Sequence, residues 1–137
     1  MHLLIRREDV KLVPALPDHS AGLKRSLLIG SHTGSTHTGL SLVELGDGHV
    51  DFHVHSFETT FYVLSGEPAL YLGAAAVRLR EGACGVIPVG ARHAWRADGA
   101  ARWIEMASPR PRGPAEPPDT FFVDPAPDTE PVPIDVR

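Results

Sequence analysis

Between residues 24 and 108 the chain breaks into short runs rich in β-branched and aromatic residues, each bounded by glycine, proline or polar residues. KRSLLIG, THTGLSLVEL, VDFHVH, TTFYVLSG, EPALYLG, AAVRLR, CGVIPV, ARHAWRA and ARWIEMAS follow one another at close, regular spacing. No apolar stretch of helical length with a 3.6-residue period interrupts them. Many short strands arranged in this way predict an all-β sandwich or barrel. Within the pattern, Gly46-Asp47-Gly48 reads as a hairpin turn between two strands.

The 137 residues suffice for one domain with a single core, and 42% hydrophobic with 22% charged residues is ordinary for a globular chain. A formal net charge of −4, with no Lys/Arg stripe interleaved with aromatics, argues against nucleic acid as a partner. No apolar run approaches the roughly 20 residues of a membrane-spanning helix. The first residues, MHLLIRREDV, lack the form of a secretory signal. The single cysteine, Cys84, cannot form an intrachain disulfide, and this fits a reducing, cytoplasmic setting.

Chemistry concentrates at His53-Val-His55. On a strand, residues i and i+2 share a face, so the two imidazoles can lean onto one ion. A third histidine, His93, follows in a Gly/Pro-punctuated segment in which Gly82, Pro88, Gly90 and His93 form G-x5-P-x-G-x2-H. That string resembles the second signature of the cupin superfamily with all four positions filled. His53, His55 and Gly66 fit the first signature, Asp47 stands at its first glycine, and fifteen residues separate Gly66 from Gly82. The resemblance spans about residues 23–108.

The resemblance implies a jelly-roll barrel, the double-stranded β-helix of cupins. His53, His55 and His93 would hold a divalent transition metal, with Fe, Mn, Ni and Zn as candidates. Three imidazoles leave positions open for water or substrate, as catalytic sites require. The expected activity is that of an oxygenase, isomerase or hydrolase on a small organic molecule. The alternative is a non-catalytic barrel that binds or senses a small ligand, or the supporting half of a two-barrel enzyme. Two positions depart from the family pattern. Aligned without a gap, Thr59 occupies the place of the usual metal-binding glutamate, Glu58 stands one residue early, and Ala97 replaces the usual asparagine. On an unbroken strand Thr59 points inward with His53 and His55 while Glu58 points away, leaving a three-histidine centre.

Three regions follow: an N-terminal arm (1–22), the barrel (23–108) and a Pro-rich tail (109–137). Pro14 and Pro17 exclude a central strand or helix, so the arm is expected to cover a sheet edge. In cupins such arms often pair with a second subunit, and a homodimer is implied on that ground. The tail holds nine of the thirteen prolines and favours extended conformations, with Phe121, Phe122 and Val123 as an apolar triplet expected to dock onto the barrel or a partner subunit. Phe61, Val63, Trp95 and Trp103 are expected to pack the interior or its mouth. Cys84 is expected on a largely buried strand, in a packing role. His2, His19, His32 and His49 are expected in solvent. His37 has the parity of Gly39, Ser41 and Val43, facing either the interior or solvent. Arg92, adjacent to His93, faces the opposite way and lies outside the site.

Overall fold

The computed structural model describes residues 4–133. Ten strands follow in chain order: β1 (Val13–Pro14), β2 (Ser20–Ile29), β3 (Gly39–His55), β4 (Glu58–Ser65), β5 (Ala69–Leu72), β6 (Ala75–Arg78), β7 (Cys84–Ile87), β8 (His93–Ser108), β9 (Thr120–Asp124) and β10 (Val132–Pro133). Two single 3-10 turns, Arg7–Asp9 and Ser31–Thr33, are the only helical segments among the described residues. The class is all-β, as the strand pattern predicts. His2 lies outside the described residues.

The long strands β3 and β8 pair antiparallel along most of their length and form the spine. β3 carries β2 on its other edge over its first part and β9 over its last residues. β8 carries β5 beside His93–Arg96 and β4 beside Arg102–Ser108. Because each spine strand changes neighbours along its course, the sheet wraps round and encloses its inner face. The arm contributes β1, which pairs with β2 at the end of the strand order and so covers an edge.

Gly46-Asp47-Gly48 is not a hairpin turn. β3 runs straight through it, and the register against β8 slips between Gly46↔Ala100 and Gly48↔Ala97. Asp47 takes φ 38 there, and its carboxylate accepts a hydrogen bond from the Gly99 amide at 2.6 Å. This is a β-bulge, which uses the same left-handed residue as a hairpin but bends a continuous strand. In consequence ARHAWRA and ARWIEMAS are one strand, and His49 lies on β3, half-buried, rather than in a solvated turn.

Alternation sets the core. On β4, Thr59, Phe61 and Val63 are buried while Glu58 and Tyr62 face out. Trp95 stacks on Trp103 with ring centroids 4.4 Å apart, and Phe61 meets Trp95 edge-on at 5.3 Å. Both indoles are almost wholly buried among Val43, Leu45 and Leu70. Each large apolar side chain so buried stabilises the fold by roughly 1.5–3 kcal/mol. Gly66 ends β4 at φ 77, where a Cβ would come within 2.7 Å of the Ala101 Cα; only glycine fits that turn.

Cys84 is exposed, contrary to the sequence expectation. It is three residues from the buried Ile87 and therefore on the outer face of β7, a strand with only one face covered.

Candidate metal centre

His53 and His55 sit at the end of β3 with the same parity, and His93 opens β8 directly opposite His53. The ring centroids of His53 lie 4.1 Å from those of His93 and 4.7 Å from those of His55; His55 and His93 are 5.0 Å apart. One ligand nitrogen from each ring falls within 4.8 Å of the others. The Gly90 amide donates to the His55 carbonyl at 2.9 Å, which ties the Pro88–Gly90 turn to β3 and sets His93 beside the pair.

Each Nδ1 is already engaged. His53 Nδ1–H donates to the Asp51 carbonyl at 2.7 Å and His93 Nδ1–H to the Ala91 carbonyl at 2.9 Å. A carbonyl can only accept, so these two rings carry their proton on Nδ1 and present Nε2 as a lone pair. His55 Nδ1 shares a 2.8 Å hydrogen bond with the Thr120 hydroxyl, from the facing residue of β9. The two carbonyls fix the tautomer of His53 and His93, and all three partners fix the ring orientation that a metal ligand needs.

The rings are also held neutral. Burial, then the neighbouring His93 and Arg25, lowers the His53 pKa to about 3. Burial, then the other two histidines, brings His55 down to about 2. Burial lowers His93 as well, opposed in part by the Ala91 carbonyl and Glu105. Three neutral imidazoles with converging nitrogens are a donor set for a borderline divalent ion.

Glu58 is exposed and Thr59 is 2% exposed, so the inward residue of that pair is the threonine. Its hydroxyl has no hydrogen-bond partner among the described residues. Ala97 is buried in the main core. Phe61, Val63 and the two tryptophans pack the interior below the histidines. Arg92 points outward, paired with Asp124 at 2.8 Å and lying over the Phe52 ring. His32 and His37 are exposed. His19 is partly exposed but not merely solvated: its ring stacks on Phe122 at 4.0 Å and stands 3.7 Å from the Asp51 carboxylate.

A cavity of about 50 Å³ opens beside the histidines, with Arg25 and Glu105 in its wall. Sequence reasoning passed over both. The available signal was parity, since Arg25 shares a strand face with the buried Leu23 and Glu105 with the buried Trp103. A charge at an inward position of a strand needs a partner, and here the two are that partner for each other, at 2.8 Å. Sequence reasoning likewise missed Thr120, which only the β3–β9 pairing brings to His55. Of the apolar triplet, Phe122 alone turns inward, 5.3 Å from the His53 ring, while Phe121 and Val123 are about half exposed.

The Cupin domain family model matches residues 39–107, half of the chain. The chain belongs to the cupins. Among solved structures, this cupin is similar to the polyketide cyclase RemF from Streptomyces resistomycificus, with TM-score 0.77, 23% identity, and 93% of this chain and 89% of that one covered. It is also similar to KdgF from Halomonas sp., with TM-score 0.65, 18% identity and coverage of 77% and 93%. A predicted oxalate decarboxylase from Thermotoga maritima gives TM-score 0.65, 13% identity and coverage of 77% and 98%. Identities at this level carry the fold alone. No sequence among curated proteins matches the chain.

Proposed function

We propose that this cupin is a metal-dependent enzyme acting on a small organic molecule, with His53, His55 and His93 as the ligands of one divalent ion. The observation that carries the reading is the trio itself: three neutral imidazoles, each oriented through Nδ1, with one ligand nitrogen from each ring within 4.8 Å of the others. Packing alone gives no reason for such convergence, because clustered lone pairs repel unless a cation or water lies between them. Fe, Mn, Ni and Zn all suit this donor set. The ion would supply Lewis acidity, or oxygen activation if it is iron, for chemistry of the oxygenase, isomerase or hydrolase type. The cyclase named among the similar structures adds ring closure to the reaction classes worth assaying.

The protein's own part is to orient the ligands, hold them unprotonated and exclude bulk water. Trp95 and Trp103 line the cavity, and Leu16 and Thr120 stand in its wall from the arm and the tail. A second reading, ligand binding without turnover, is favoured by one observation: about 50 Å³ holds little more than a water molecule or two. A substrate must then present one small group to the histidines while its remainder stays at the mouth.

The same reading places the chain in the cytoplasm as a homodimer. Its supports are the lone Cys84 and an apolar outer groove of about 380 Å³ with Tyr62, Val86 and Met106 half exposed around it. Elemental analysis of protein purified without added metal tests the enzyme reading. One bound ion per chain is expected, and a chain free of metal that also fails to take up any of the four ions would end it. Among the described residues, no helix is long and apolar enough to cross a membrane.

A further inference from the structure

Among the described residues, the Arg25–Glu105 pair is the one ion pair in the wall of the cavity that His53 and His55 line. Its hydrogen bonds are uneven. Glu105 is held at both oxygens, one accepting from Arg25 Nη2 at 2.8 Å and the other from the Trp103 indole N–H at 2.9 Å. Arg25 is less fully held, because its Nε is buried and has no partner among the described residues. Only Nη2 is engaged by Glu105, and the arginine side chain as a whole is about one-third exposed, so donors other than the buried Nε are left for a ligand.

We propose that Arg25 is the substrate anchor of this cupin, binding a small carboxylate through donors that Glu105 leaves over, and that Glu105 is the positioning residue that aims it. The inference deepens the metal-enzyme reading and rests on it for the place of the reaction, but not for the binding itself.

Charge favours an anion here. Arg25 and Glu105 cancel, the imidazoles are neutral, and any divalent ion adds positive charge with nothing to balance it. The guanidinium faces the site, since Arg25 lines the same cavity as His53 and His55. A planar, permanently charged fork suits a carboxylate better than an ammonium does. The cavity is also of a size to admit that group and little else.

The chain's only two tryptophans, Trp95 and Trp103, both line the cavity and make intrinsic fluorescence a direct probe. Acetate and its neutral analogue acetamide are titrated into metal-free and zinc-loaded protein. Wild type should respond saturably to acetate and not to acetamide. Arg25→Gln should weaken acetate about tenfold to a hundredfold, the range for a lost hydrogen bond to a charged group. It should leave the bound zinc unchanged. The Arg25→Gln/Glu105→Gln double variant, which strands no charge, should show the same loss if the single variant folds poorly. Arg25→Lys should recover only part of it. Acetate affinity undiminished in both Gln variants, or no acetate response in wild type with or without zinc, would overturn the proposal. Failure of wild type to bind zinc would instead count against the metal reading, while the comparison in metal-free protein still decides the role of Arg25.

Discussion

His53 and His93 stand directly opposite each other on antiparallel β3 and β8, their ring centroids 4.1 Å apart and their planes inclined by 56°. The row continues on both sides, from Leu72 on β5 to Phe122 on β9. Two of the proposed ligands are therefore fixed by the pairing of the spine strands and not by a loop. Replacing both in a His53→Ala/His93→Ala variant should reduce metal content to below about a tenth of an ion per chain, as ligand loss does at three-ligand sites. Far-ultraviolet dichroism should stay that of the barrel. Undiminished metal in that variant would place the ion elsewhere.

Acid should weaken the metal-free protein earlier than carboxylate titration does. The folded rings of His53 and His55 stay neutral down to about 3 and about 2, whereas unfolded histidine takes up its proton near 6.5. Their contribution is thus complete above pH 6.5 and is lost as the pH falls toward 3, because the unfolded state then binds more protons. Each ring contributes up to about 1.4 kcal/mol per pH unit in that window. Urea midpoints at pH 6.5 and pH 5 should differ clearly in wild type and much less in the His53→Ala/His93→Ala variant. Equal pH dependence in the two proteins would refute the assignment.

Glu58 and Thr59 give a third test. Glu58→Gln should leave metal content unchanged, because the carboxylate faces solvent. Thr59→Glu should tighten metal binding about tenfold or more by offering an inward carboxylate as a further ligand. Metal stripped by Glu58→Gln would mean that β4 bulges to turn that residue inward.

The tail should be anchored by one residue of its apolar triplet. Phe122 packs against the core and the His53 ring, so Phe122→Ala should cost about 2 kcal/mol or more. Phe121→Ala should cost well under half of that, since Phe121 is 48% exposed. Chemical denaturation of the two variants makes the comparison, and similar losses would show that β9 docks by more than Phe122.

The imidazole trio was legible in the sequence because its determinants are local. Parity puts His53 and His55 on one face, and the Pro88–Gly90 turn has a short-range signature. Thr59 and Glu58 were sorted correctly by the same alternation. Asp47 was misread because a bulge and a hairpin both ask for a left-handed residue between glycines. The difference lies in whether β2 and β8 flank the strand on either side, and that is a long-range matter. Cys84 was misplaced because period two names two faces without saying which is covered. Arg25, Glu105 and Thr120 escaped for a related reason: each acquires its role from a partner at least 65 residues away.

The stretch that marks the chain as a cupin, residues 39–107, contains all three histidines and Glu105. Arg25, Leu16, Thr120 and Phe122 lie outside it, on β2, the arm and β9, yet each lines the cavity or touches a histidine. The family stretch thus supplies most of the cavity wall, and the arm, β2 and β9 complete it from outside that stretch. Relatives that keep the middle and rewrite the ends would keep the proposed metal ligands and change part of the wall around them. Grafting the first 30 and last 25 or so residues between such relatives is accordingly the shortest route to exchanging what they accept.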